Sequence, residues 1–76
     1  MNHLIKAVQN IRYARAALKW GALGPARELL ECARYWLMMG YDGGPRALKV
    51  LNLVNLLALD LIFTEAMAPA VGEEST

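Results

Sequence analysis

Residues 48–63 read LKVLNLVNLLALDLIF, an almost continuous apolar segment interrupted by Asn52, Asn55 and Asp60. About 20 predominantly apolar residues are enough to span a membrane as a helix, so length alone permits a span here. An Asp near the centre of a span costs about 2.5–3.5 kcal/mol on insertion scales, and Lys49 and Glu65 lie near the two ends. The sequence therefore predicts a helix that packs against protein, with no membrane span.

A helical wheel divides this segment into faces at about 100° per residue. One stripe is predicted to face the rest of the chain, and it consists of Ala47, Val50, Val54, Leu57 and Leu61. A second stripe lies roughly 150° away around the axis, and it consists of Leu48, Asn52, Asn55, Leu59 and Ile62. Leu53, Leu56 and Phe63 lie beside the most polar line, so there is no clean solvent face. A helix that is apolar all round is typically buried.

The chain is too short to cover such a helix by itself. Its apolar share of 57% exceeds the usual share of about 45–50%. Domains as small as these 76 residues are only marginally stable alone. A single cysteine excludes an intrachain disulfide, and His3 with Cys32 falls short of the roughly four ligands of a zinc site. We expect no cofactor or metal. We expect instead that a homodimer or a partner protein covers the rest of the helix, and we favour the homodimer.

The second stripe is the predicted dimer seam. A buried Asn in such a seam fixes register and oligomeric state because only one alignment pairs the amides, which gives Asn52 and Asn55 a role. The alternative is that both lie exposed at the rim of the core. In a buried seam Asp60 needs a basic partner, for which the candidates are Arg12, Arg15 and Arg46.

The whole sequence predicts an all-α three-helix bundle with helices over about 3–20, 25–39 and 45–67, in a single domain of residues 1–68. Strand patterns are missing, whereas the Gly-Pro pairs at 24–25 and 44–45 suit helix starts and Gly21 and Gly40 suit helix ends. Residues 69–76 form an acidic tail predicted to be disordered.

In the second helix we expect a Schellman cap at Gly40 with a contact from Tyr41, a buried Cys32 and an Arg27–Glu31 pair.

Charge is distributed unevenly along the chain. Residues 1–49 hold all eight Lys and Arg and three acids, a net +5, whereas residues 50–76 hold four acids and no base, a net −4. Tyr13 and Trp20 lie among Arg12 and Lys19 on the first helix, a combination typical of interface hot spots or of base stacking with phosphate contact. The alternative is that the aromatic rings cover the flank of the third helix. The predicted partner-binding residues are Arg12, Tyr13, Lys19, Trp20, Leu53, Leu56 and Phe63.

No catalytic pattern is visible: Ser75 and Thr76 lie in the tail, and the DGGP joint lacks the Lys and Ser/Thr of a phosphate loop. We therefore expect a small non-enzymatic protein that binds another protein and occludes it. Such chains are common among phage and mobile-element inhibitors of host or defence proteins. The alternative is a DNA-binding helix-turn-helix regulator, because the first joint is short and contains glycine. The opening MNHLIKAVQN lacks a signal-peptide core, and with the lone cysteine this favours the cytoplasm, of the host cell if the protein is phage-encoded.

Overall fold

A computed structural model of the protein describes residues 2–67, which form three helices packed against one another. They are α1 (His3–Lys19), α2 (Leu23–Gly40) and α3 (Pro45–Met67). No strand occurs between residues 2 and 67, so the predicted all-α three-helix fold is confirmed. The bounds of α3 match the prediction, whereas α2 begins two residues earlier and ends one residue later. The predicted acidic tail, 69–76, lies outside the described residues.

The turn after α1 is a complete Schellman motif. Gly21 has a φ of 77°, a left-handed conformation that glycine adopts at no steric cost. Its N–H donates to the carbonyl of Leu18 at 3.0 Å, and the N–H of Ala22 donates to that of Ala17 at 2.8 Å. These two bonds satisfy carbonyls that the helix end would otherwise leave without partners. The predicted stop at Gly21 is therefore confirmed.

Helix α2 begins at Leu23, so the helix start predicted at the Gly24–Pro25 pair is wrong by two residues. Ala22 is the N-cap and its side chain forms no capping bond. Pro25 is tolerated as the third helical residue because N–H groups in the first turn have no intrahelical partner. The left-handed turn at Gly21 reverses the chain quickly enough for the next helix to start at once.

The predicted Schellman cap at Gly40 is wrong. Gly40 is the last residue of α2, and Tyr41 after it is extended with φ −74° and ψ 121°. A Cβ at Gly40 would come within 2.9 Å of the Cβ of His3, so glycine is required there for close helix approach and not for a turn. The left-handed residue of this joint is Gly43, with a φ of 76°.

The core lies where the three helices meet. Because the end of α2 touches the start of α1 and a tight turn joins their other ends, the two helices form an antiparallel hairpin on which α3 packs. The predicted core stripe of α3 is confirmed, since all five of its residues are buried. Alanines allow the close approach: Ala7, Ala14, Ala26, Ala33 and Ala47 are at most 1% exposed.

Two predictions for α2 are wrong. Cys32 is exposed, because the core line of α2 follows Ala26, Leu30, Ala33 and Leu37 and Cys32 lies about 140° away from it on a helical wheel. Arg27 forms its ion pair with Glu65 at the end of α3, and not with Glu31. The antiparallel packing of α2 and α3 brings the start of one helix beside the end of the other.

Candidate interaction surfaces

The side of α3 that faces away from the core is exposed and carries mostly apolar side chains. We call it the α3 outer face, and it consists of Leu48, Asn52, Asn55, Leu56, Leu59, Ile62 and Phe63. The exposed fractions of its five apolar side chains range from 46% for Leu48 to 68% for Phe63. All five residues of the predicted dimer seam therefore lie together on one accessible surface, and Leu56 and Phe63 join them.

Leu53 does not belong to this surface. It was predicted to form a patch with Leu56 and Phe63, but it is half-buried and turns toward α1. Its azimuth on the helical wheel differs from that of Leu56 by about 60°, which is enough to place it in the groove between α1 and α3. The predicted patch is thus divided between two surfaces.

Asn52 lies close to the centre of the α3 outer face and Asn55 lies beside it, both exposed in the single chain. Asp60 lies at the edge of the same face, where the hydroxyl of Thr64 donates to its backbone carbonyl at 2.7 Å. The three proposed basic partners of Asp60, namely Arg12, Arg15 and Arg46, are all exposed. Within residues 2–67 Asp60 forms no ion pair with any of them.

The predicted aromatic and basic residues of α1 also form an accessible surface, which we call the α1 aromatic-basic face. Tyr13 is 64% exposed and Trp20 is 86% exposed, and Arg12 and Lys19 are exposed beside them. Trp20 follows Tyr13 by seven residues, and Lys19 follows Arg12 by the same interval, which is about two helical turns or 10.5 Å. The two aromatic and the two basic side chains therefore form two parallel rows. The rings do not cover the flank of α3, so that alternative is wrong.

A further cluster was not predicted from the sequence. The ring of Trp36 on α2 stacks on His3 at 5.5 Å between centroids, and the Nζ of Lys6 lies 4.5 Å from the centre of the Trp36 ring. Tyr35 meets the edge of the same ring at 5.2 Å. The cluster joins residues about 30 positions apart, and no local pattern marks such a contact.

An open groove of about 470 Å³ runs between the first halves of α1 and α3. Arg12, Arg46 and Lys49 supply its cationic side chains, and it has no acidic residue. The complete lining is Asn2, Leu4, Ile5, Val8, Gln9, Arg12, Arg46, Lys49, Val50 and Leu53. Lys49 therefore lies between the groove and the α3 outer face.

The part of the chain that the structure describes contains no group of three or more His, Cys, Asp or Glu residues able to hold a metal ion. By length and composition alone, α3 is able to cross a membrane, with a mean hydropathy of 1.7 over its most apolar window, 28% of which is buried in the bundle.

No known protein family, curated protein or solved structure matches this chain.

Proposed function

We propose that this chain is a non-enzymatic protein-binding module that self-associates through the α3 outer face and uses the α1 aromatic-basic face to cover a site on a partner protein. The observation that carries the proposal is the row of five exposed large apolar side chains along the α3 outer face. We propose occlusion as the mode of action because the sequence shows no catalytic pattern. The further suggestion of a phage or mobile-element inhibitor rests on size and helical class alone.

Burial of the α3 outer face is strongly favourable. Complete burial of one large aliphatic or aromatic side chain contributes roughly 1.5–3 kcal/mol, and five such side chains lie on this face. Monomeric soluble proteins rarely expose a contiguous apolar surface of this kind, and larger ones usually mark an interaction site. A second copy offers a matching surface, because a two-fold dimer places the same patch on both subunits.

Polar side chains favour a protein over a lipid bilayer as the occupant of this face. Asn52 and Asn55 lie within it, and Lys49 and Asp60 lie at its edge. In hydrocarbon each of these groups lacks a partner, whereas a facing helix provides amides and charges. A bilayer remains an outcome of the experiment below.

The α1 aromatic-basic face supports contact with a second protein. Trp, Tyr and Arg are the residue types most enriched among energetic hot spots of protein interfaces. An 86% exposed Trp20 contributes almost nothing to the folded chain, and its burial against a partner recovers a large apolar area.

The hairpin geometry favours protein binding over DNA binding. In a helix-turn-helix unit the two helices cross at about 90–120°, whereas α1 and α2 are antiparallel and touch along their length. Glu28 and Glu31 are also exposed on α2, where they would repel phosphate.

Self-association is tested by light scattering over a range of protein concentrations. We expect a mass of twice 8.4 kDa for the wild type and 8.4 kDa for Leu59→Glu, which places a charge in the apolar face. Ile5→Glu is the matched control, because Ile5 is apolar and 56% exposed on another helix, and it should remain dimeric. A wild-type mass of 8.4 kDa at every concentration, or quantitative binding to neutral lipid vesicles, would contradict the proposal.

Partner binding is tested by affinity capture with variants of the full chain. The Trp20→Ala and Tyr13→Ala variants should each fail to capture the partner protein. The Met38→Ala variant should still capture it, although it removes an apolar side chain that is 79% exposed. DNA binding is the competing outcome: the chain would bind duplex DNA with an affinity that falls steeply between about 50 and 200 mM salt. If the double variant Arg12→Ala/Lys19→Ala abolishes that binding, the α1 aromatic-basic face binds nucleic acid and the proposal is wrong.

A further inference from the structure

The exposed residues of the α3 outer face follow a coiled-coil period. Leu48, Asn52, Asn55, Leu59 and Ile62 are separated alternately by four and three residues, a mean of 3.5, which is the repeat that keeps a seam turned toward a facing helix. The buried residues Val50 and Leu57 lie on the opposite side. One helix therefore carries a core face and, behind it, a complete seam with no partner in the chain.

We propose that a second copy of α3 occupies this seam in antiparallel orientation, in the register that places Asn52 opposite Asn55 of the partner subunit. This inference rests on the proposed self-association and specifies its geometry. The same register places Leu48 opposite Leu59 of the partner subunit, so the apolar residues meet each other and the four amides meet at the two-fold axis.

The amides determine the register. A shift by one heptad in one direction places Asn55 against Leu59 of the partner subunit and Asn52 against Ile62 of the partner subunit. A shift in the other direction places Asn52 against Leu48 of the partner subunit and Asn55 against Pro45 of the partner subunit. Each shift buries amides against apolar groups, and a buried amide without a hydrogen bond costs about 1–3 kcal/mol. Only the proposed antiparallel register pairs every Asn.

The charges determine the direction. A parallel pair of helices in register also places each Asn beside its own counterpart, so the amides do not distinguish the two orientations. Lys49 and Asp60 lie on the same edge of α3, about 20° apart around the axis and about 16 Å apart along it. Both are exposed, and neither forms an ion pair within residues 2–67.

In the antiparallel register Lys49 lies within about 3 Å, measured along the axis, of Asp60 of the partner subunit, and the two-fold axis repeats the pair. In a parallel pair the edge that carries Lys49 faces Gly44 and Leu51 of the partner subunit, and it meets no acid there. Opposite charges across the edges of a helix seam set partner orientation. The antiparallel arrangement is the one that satisfies both the amides and the charges.

Orientation is tested by disulfide trapping in full-length protein that carries Cys32→Ser, because Cys32 is exposed and would cross-link nonspecifically. Leu48→Cys and Leu59→Cys proteins are made separately and oxidised alone and as a mixture. A disulfide requires Cα atoms within about 7 Å, and in the proposed register each cysteine lies about 16 Å along the axis from its own counterpart. We expect covalent dimers in the mixture only.

Cross-linking of Leu48→Cys alone would establish a parallel pair and overturn the orientation while leaving self-association intact. A dimer by light scattering with no cross-link in any sample would overturn the register. A monomer by light scattering would instead overturn the proposed function, so the two failures are distinguishable.

Charge reversal provides an independent test. Lys49→Glu and Asp60→Lys should each raise the dimer dissociation constant on the order of 10-fold, because two attractive pairs become repulsive. The double variant Lys49→Glu/Asp60→Lys should restore it to within about 3-fold, since the pairs are re-formed with the charges exchanged. Arg15→Glu is the control, an exposed reversal on α1 that should leave dimerisation unchanged. Additive effects of the two reversals would contradict the antiparallel pairing.

Discussion

Glycine serves two different physical purposes in this small chain. Gly21 provides a positive φ that reverses the backbone between α1 and α2. Gly40 has ordinary helical geometry, but it lies against His3 and Leu4. At one position the missing Cβ relieves the backbone, and at the other it makes room for a neighbouring helix.

Gly40→Ala tests this close approach. We expect the free energy of unfolding to fall by about 1–3 kcal/mol, because the new Cβ would lie 2.9 Å from the Cβ of His3 and overpacking of a tight contact has that cost. Gly24→Ala is the matched control, since a Cβ there meets nothing within 4 Å and alanine favours the helix. Urea unfolding of both variants measures the difference. Equal stabilities would show that the two helix ends separate easily.

Cys32 provides a second test at single-residue resolution. Because its side chain is exposed, we expect the thiol to react with a thiol reagent in the native protein as rapidly as it does in the unfolded protein, within about 10-fold. The measurement is the labelling rate with and without denaturant. Labelling only after unfolding would place Cys32 in the core, as its sequence pattern had suggested.

Helix α3 carries two apolar faces that differ in their polar content. Its core face is made of buried aliphatic residues, whereas its outer face places two amides among leucines, an isoleucine and a phenylalanine. In the proposed dimer the amides weaken association but restrict the antiparallel pair to one register. The proposed role of the outer face is therefore specific pairing as well as burial.

Asn52→Leu/Asn55→Leu tests the role of the amides. We expect the dimer dissociation constant to fall at least about 10-fold, because apolar groups replace amides that are costly to bury. We also expect loss of register, so that a mixture of the Leu48→Cys and Leu59→Cys forms of this variant cross-links less completely than the same mixture in the native background. Light scattering and disulfide trapping measure the two effects. Unchanged oligomeric state and stability would show that both Asn residues lie at the rim of the interface.

The ion pair between Arg27 and Glu65 joins the start of α2 to the end of α3, but its contribution should be small. The two side chains are 56% and 33% exposed, and exposed pairs contribute about 0–1 kcal/mol. We expect Glu65→Gln to lower the free energy of unfolding by no more than about 1 kcal/mol. Glu31→Gln, which removes an acid that forms no ion pair within residues 2–67, should have no measurable effect in the same thermal unfolding experiment. A larger loss of stability from Glu31→Gln than from Glu65→Gln would indicate that Arg27 pairs with Glu31 in solution.

As a whole the molecule is elongated, with extents of 47 × 18 × 16 Å. Three helices side by side enclose only one line of core residues, so a large share of the apolar side chains is left on the surface. A domain of this size is marginally stable alone. If the proposed association along α3 occurs, it adds to folding stability as well as creating an interface.

The melting temperature should consequently depend on protein concentration. If the native dimer dissociates as it unfolds, mass action raises the Tm as concentration rises. We expect the Tm of the wild type to increase by several degrees over a 100-fold increase in concentration. Leu59→Glu should show a lower Tm that does not change with concentration. Concentration-independent melting of the wild type would indicate that the bundle folds without its partner copy.

Sequence periodicity predicted the helices, the core stripe of α3 from Ala47 to Leu61, and the exposed seam behind it. Those features are local, because the 3.6-residue repeat determines which side chains share a face whatever the helix packs against. The glycine turn at Gly21 was equally local, since a left-handed residue followed by a new helix needs only its neighbours.

Tertiary packing alone decided the remaining features: Gly40 as a contact residue, the exposure of Cys32, the Arg27–Glu65 pair, the His3–Trp36 stack, and the separation of Leu53 from Leu56. Each depends on which helix lies at which azimuth and how closely it approaches, and residues far apart in the chain determine both. A periodic pattern identifies faces, whereas the arrangement of the three helices determines which of those faces remain free to bind.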